Sequence, residues 1–126
     1  AYLIRSGELI QLTDDHSLVN ELLKNGEITH EEAMKHPQKN VITRAVGTND
    51  DISIDINTYD LMEDDIILFC SDGLTNMVEE DELKELFINS EEIQVACDKS
   101  VIRAKEKGGR DNITVIGIRY IFEVMK

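Results

Sequence analysis

Residues 66–75 read IILFCSDGLT, and residues 108–115 read GGRDNITV. In the first stretch five residues that prefer burial run straight into Asp72. In the second, Asp111 stands just before Ile113-Thr114-Val115-Ile116. The run at 66–70 does not alternate, which predicts a strand buried on both faces. A charge set against such a strand is costly to bury unless it is paired or bound to a cation. Singly, Asp72-Gly73 and Asp111-Asn112 each read as an ordinary turn, since Asp, Asn and Gly are leading turn residues. Jointly, beside two strands that look central, they predict two carboxylates meeting at one end of a sheet. Two acidic groups that close cannot both ionise without a proton or cation between them. Oxygen-only donors favour Mg2+ or Mn2+ over zinc or copper. Asp72 and Asp111 are therefore the candidate metal ligands.

Outward from these stretches the pattern continues. Residues 2–12, YLIRSGELIQL, set two β-prone runs around Ser6-Gly7 and predict a hairpin. Ser17 is placed to cap a short helix that runs through Leu23 and stops at Gly26. Thr29-His30-Glu31-Glu32 is a capping box, with Ile28 and Ala33 placed for a hydrophobic staple. That helix must end by Pro37. Two short helices between β segments predict an insertion or lid. Residues 52–59, ISIDINTY, alternate and predict a half-buried strand with Ile52, Ile54 and Ile56 on one face. Residues 79–88 predict an amphipathic helix burying Leu83, Leu86 and Phe87. Residues 91–107 predict a longer helix, capped by Ser90 and ended before Gly108. Its apolar face carries Ile93, Ala96, Cys97, Ser100, Val101 and Ala104. Residues 113–122, ITVIGIRYIF, predict the last strand. Two consecutive helices argue against alternating βαβ units. The expected class is α+β, an antiparallel sheet or sandwich with helices packed outside.

Composition narrows the function. The 126 residues suffice for one domain. The net charge is −13, from 26 acidic and 13 basic residues. Such a surface repels phosphate backbones, which speaks against nucleic acid, and is compatible with divalent cations. Most of the carboxylates lie in helix-like stretches, where exposed Glu is ordinary. No apolar run is long enough to span a bilayer, and the first residues carry no signal-peptide pattern. Cys70 and Cys97 show no C-x-x-C spacing and predict free thiols in a reducing, cytoplasmic compartment. His16, His30 and His36 share no ligand spacing. Ser71 has no triad partner in view, and Gly108-Gly109 lacks the spacing of a phosphate cradle. Tyr2-Leu3-Ile4 already reads as a strand, as if the chain began inside a structured unit.

In order along the chain, AYLIRSGELIQLTDDHSLVNELLKNGEIT, EEAMKHPQKNVITRAVGT, DLMEDDIILFCSDGLTNMV and GGRDNITVIGIRY resemble the bacterial metal-dependent serine/threonine phosphatases of the type 2C class. The resemblance covers nearly the whole chain. It implies two stacked antiparallel sheets flanked by helices, with Mn2+ or Mg2+ ions, two and in some bacterial members three, at one end. It implies that Asp72 and Asp111 are metal ligands, and that Gly73 and Asn112 support them from behind. Asp15, His16, Ser17, Thr43 and Arg44 fall in the family's flap, about residues 15–45. The implied reaction is hydrolysis of phosphoserine and phosphothreonine by a metal-activated water, without a phosphoenzyme. The implied partners are phosphorylated proteins, a serine/threonine kinase among them.

The family's first half has no counterpart here. No D-G-x-G-G motif, N-terminal phosphate-binding Arg or G-D-S-R segment is present. The chain therefore reads as the C-terminal half of one catalytic domain, expected to be inactive alone and prone to self-association. Two rival readings stand beside this one. The first is a non-catalytic regulatory or binding module with the same fold. The second is a small acidic interaction domain in which both aspartates are only turns.

Overall fold

The first two strands are joined by the turn the sequence predicts. Ser6 has φ 51° and Gly7 φ 81°. This left-handed pair makes a primed turn, whose twist matches that of a hairpin. The computed structural model describes residues 1–122. It divides into two compact units, one of residues 1–13 plus those from Asp60 onward, the other Asp14–Tyr59.

The first unit is built on a four-stranded antiparallel sheet. Its strands are β1 (Tyr2–Arg5), β2 (Glu8–Gln11), β3 (Ile66–Cys70) and β4 (Val115–Arg119), in spatial order β2-β1-β3-β4. Three helices accompany it: α3 (Asp72–Thr75), α4 (Glu80–Ile88) and α5 (Ile93–Glu106). The second unit holds α1 (Leu18–Lys24) and α2 (His30–Lys35). The architecture is α+β, as expected.

Side chains alternate across a strand, so the pairing register sorts the sheet into two faces. Tyr2, Ile4, Ile66 and Leu68 lie on one face and join Leu74, Val78, Leu83, Phe87, Ala96, Cys97 and Ala104 in a single core cluster. Gly117 shares that face, and α5 presses against it. A Cβ there would sit 2.7 Å from Cγ1 of Ile93 and 3.1 Å from Sγ of Cys97. Burial pushes the Cys97 thiol pKa up. Glu82 of α4 accepts hydrogen bonds from Lys107 and Arg103, tying α4 to the end of α5. These cations hold the Glu82 carboxyl below its ordinary range. At the other end of β3, the Arg5 guanidinium donates to both oxygens of Asp65, at 2.9 and 2.6 Å, and to the carbonyl of Asp60 at 2.8 Å. Asp65 is 1% exposed. Its carboxyl is held below the ordinary value by Arg5, a lowering that burial opposes and the Met62 N–H reinforces.

Four expectations need correction. β3 is not buried on both faces: Phe69 is 45% exposed, and its neighbours Ile116 and Ile118 are 54% and 48% exposed. Helices cover one face only, and the run reads as doubly buried because the open face is apolar too. Residues 52–59 form no strand, and Ile54 and Ile56 are 76% and 85% exposed. Alternation prepares a segment for a ladder, but no ladder partner reaches it among the described residues. The last strand is β4 rather than 113–122. Thr114 instead accepts a backbone hydrogen bond from the Ser71 N–H. Ser90 does not cap α5. Its hydroxyl donates back to the Leu86 carbonyl at 2.7 Å, and Glu92 takes the cap position.

Candidate metal centre

β3 and β4 are antiparallel, with Cys70 opposite Val115. The end of β3 and the start of β4 therefore lie at the same end of the sheet. Asp72 stands just past the first and Asp111 just before the second. Ser71 stitches the two turns together. Its N–H donates to the Thr114 carbonyl at 3.0 Å. Its hydroxyl donates to the Asn112 carbonyl at 3.1 Å and accepts the Thr114 N–H at 3.0 Å. Gly73 completes the contact by having no side chain. A Cβ on it would lie 2.1 Å from the Asn112 carbonyl oxygen and 3.5 Å from the Asp111 carbonyl carbon. The backbones of the two turns thus pack directly on each other.

Both aspartates are exposed, which corrects the expectation of buried carboxylates. The apolar runs beside them are strand residues. The aspartates themselves stand on turns beyond the sheet, in reach of water. Their charges need no cation to offset burial, so the case for a metal rests on the juxtaposition and the donor chemistry. Asp111 Oδ1 accepts the Asn112 N–H at 2.7 Å, which fixes the side chain over its own turn. Exposed carboxylate oxygens fit a hard divalent ion, which keeps several of its waters. They supply only part of a shell: among the described residues no group of three or more His, Cys, Asp and Glu side chains is placed to hold a metal.

The residues expected to form a flap belong to the second unit, where four of them are drawn together. Ser17 caps α1, accepting the Asn20 N–H, and pairs as an isolated bridge with Ile42. The Thr43 N–H donates to the His16 carbonyl at 2.8 Å. Asp55, which the sequence reading passed over, binds two of them: His16 Nε2 at 2.7 Å and Arg44 Nη1 at 2.9 Å. Arg44 and His16 hold its carboxyl below the ordinary range. The carbonyl of Asp15 accepts from the Asn20 side chain. No local signal marks Asp55 or Ser71, because their partners lie far along the chain.

No family model matches the chain. Individual proteins do. Protein phosphatase PhpP of Streptococcus pneumoniae is 48% identical over 113 residues, 90% of this chain and 46% of that protein. The solved structure of the Streptococcus agalactiae serine/threonine phosphatase superposes with a TM-score of 0.89 at 39% identity, covering 96% of this chain and 50% of that one. The chain is a homologue of the bacterial type 2C serine/threonine phosphatases. A third similar structure is the catalytic domain of the phosphatase PstP in complex with two manganese ions. It matches with a TM-score of 0.81 at 33% identity over 92% of this chain and 47% of that one. This phosphatase homologue spans about half the length of the curated relatives it matches. No helix among its described residues is long and apolar enough to cross a membrane.

Proposed function

We propose that the protein hydrolyses phosphoserine and phosphothreonine in other proteins, with Asp72 and Asp111 as ligands of a Mn2+ or Mg2+ centre. The observation that carries this reading is the juxtaposition of the two aspartate turns at one end of the sheet, in a chain homologous to serine/threonine phosphatases. The chain spans about half the length of these relatives, and the activity is proposed for the whole protein. When bound, a divalent ion supplies an activated water and offsets the charge of the phosphoryl group. The residues here do the holding. Asp72 and Asp111 present carboxylate oxygens from adjoining turns. The Asn112 N–H orients Asp111, and Gly73 lets the turns touch. No side-chain nucleophile is required.

The substrates in this reading are phosphorylated proteins, a serine/threonine kinase among them, in cytoplasmic signalling. The polar cluster of Asp15, His16, Ser17, Thr43 and Arg44, exposed at Asp15 and Thr43 and half-buried at the other three, is proposed as substrate-contacting flap. The open apolar sheet face supports the two-sheet sandwich, since it is the kind of surface a second sheet covers. Uncovered, that face would promote self-association. Sedimentation equilibrium of residues 1–126 at moderate ionic strength reads this: a dimer supports it, and a folded monomer refutes it.

The test of the activity is Asp72→Asn and Asp111→Asn in the full-length protein, assayed on a phosphoserine peptide with Mn2+. Each is expected to lower turnover by more than about 100-fold, since even residues behind a ligand are worth tenfold or more, while the melting temperature holds. Wild-type turnover in either variant would refute the ligand role.

A further inference from the structure

Ser71 sits where a helix cap would sit, directly before α3, yet its side chain makes no cap hydrogen bond. The hydroxyl turns away from the helix and works across the gap to the other aspartate turn. It uses both of its capacities there, donating to the Asn112 carbonyl and accepting the Thr114 N–H, while the Ser71 backbone N–H donates to the Thr114 carbonyl. Three hydrogen bonds thus run from the residue preceding Asp72 to the three-residue stretch that follows Asp111. Few side chains can serve two opposite partners from one short atom; a hydroxyl does so because it is donor and acceptor at once.

We propose that Ser71 is a positioning residue, a hydroxyl strap that holds the Asp72 turn against the Asp111 turn at the spacing at which one divalent centre meets both carboxylates. The proposal rests on the metal reading above. It gives Ser71 a task distinct from nucleophile, cap or ligand. Without the hydroxyl, the Asn112 carbonyl and the Thr114 N–H lose their partner, and the Asp111 turn is left with the Ser71 N–H to Thr114 carbonyl bond and the Gly73 contact. Both carboxylates remain, but their separation is no longer fixed.

The experiment is Mn2+ titration of the full-length protein, read by the electron paramagnetic resonance signal of free Mn2+. It is applied to the wild type, Ser71→Ala, Ser71→Thr, Asp72→Asn and Asp111→Asn, with thermal melts alongside. Ser71→Ala is expected to weaken Mn2+ binding about tenfold, as loss of a group supporting a ligand does. Ser71→Thr, which keeps the hydroxyl, is expected to restore it. Amide exchange at Thr114 should quicken in Ser71→Ala and not in Ser71→Thr. Wild-type Mn2+ affinity in Ser71→Ala overturns the strap, and so does equal loss in the Ala and Thr variants. Unchanged affinity in both aspartate variants, or no Mn2+ site in the wild type, overturns the metal reading itself and the strap with it. If Ser71→Ala fails to fold, Ser71→Cys, which keeps the volume but makes weak hydrogen bonds, carries the same comparison.

Discussion

The two units are held together by different physics. In the first, Leu68, Leu74, Leu83, Phe87, Ala96 and Ala104 are almost wholly removed from water around one sheet face. In the second, residues 14–59, Ala33 alone is buried. Its helices stand on polar ties instead. Ser17 caps α1, and Thr29 and Glu32 form a reciprocal capping box on α2. Lys24 pairs with Asp14, and Asp55 joins His16 to Arg44. Regular secondary structure therefore does not imply a core. Exposed ion pairs contribute little each, so the second unit is expected to open locally at small free energy, while the first unfolds as a block.

The sharpest way to break this contrast is to cut into the core. Phe87→Ala should cost about 3–5 kcal/mol, as emptying an aromatic site in a packed core does, and abolish cooperative melting of the first unit. Retention of the wild-type midpoint would contradict a single core.

A second, smaller effect separates buried from exposed charge. Asp65→Ala removes a carboxylate whose side chain is 1% exposed and leaves Arg5 with the Asp60 carbonyl alone, so it should lower the midpoint well below that of Asp55→Ala, whose carboxylate is 45% exposed. Both carboxyls titrate below the ordinary 3.8 in the folded protein. The stability they add is therefore full above that value and is lost as pH falls through the lowered one. Acid melts should show the Asp65 contribution disappearing only below about pH 4, and it should be absent in Asp65→Ala.

A third effect is local. Thr29→Ala removes a helix cap worth about 1 kcal/mol. Amide exchange should quicken through α2 while the melting midpoint of the first unit stays put. A midpoint shift equal to that of a core substitution would show that the units unfold together. The smallest expected effect is Val46→Ala, within about 0.5 kcal/mol of wild type, because Val46 is 91% exposed.

Elements governed by local rules were legible in the sequence. The Ser6-Gly7 turn, the Thr29 capping box, the stop before Pro37 and the buried stripe of α5 depend on residues within a few positions of one another. What depended on distant partners was not. Alternation in ISIDINTY indicates which side chains share a face, but not whether a neighbouring strand exists to pair with. The apolar run into Asp72 suggested a buried carboxylate, whereas the chain turns out of the sheet between Cys70 and Asp72. Ser90 looked like a cap because Ser is a good one, yet the Leu86 carbonyl lies within its reach. Of the candidate site, the two aspartates were legible from their context. The strap through Ser71 was not, because it joins residues more than forty positions apart.

The contact at Gly73 bears on which ions the site would accept. Where side chains line a cavity, rotamers can shift to admit a larger guest. Here peptide planes meet, and a single added carbon would fall 2.1 Å from a carbonyl oxygen. The separation of the two turns is then set by the backbone, which yields far less readily than a side chain. Mg2+ binds oxygen at about 2.0–2.1 Å and Ca2+ at about 2.3–2.6 Å with more ligands. In the metal reading, that backbone limits how far the two carboxylates can part, so Ca2+, with its longer bonds and larger ligand number, is expected to compete poorly with Mg2+.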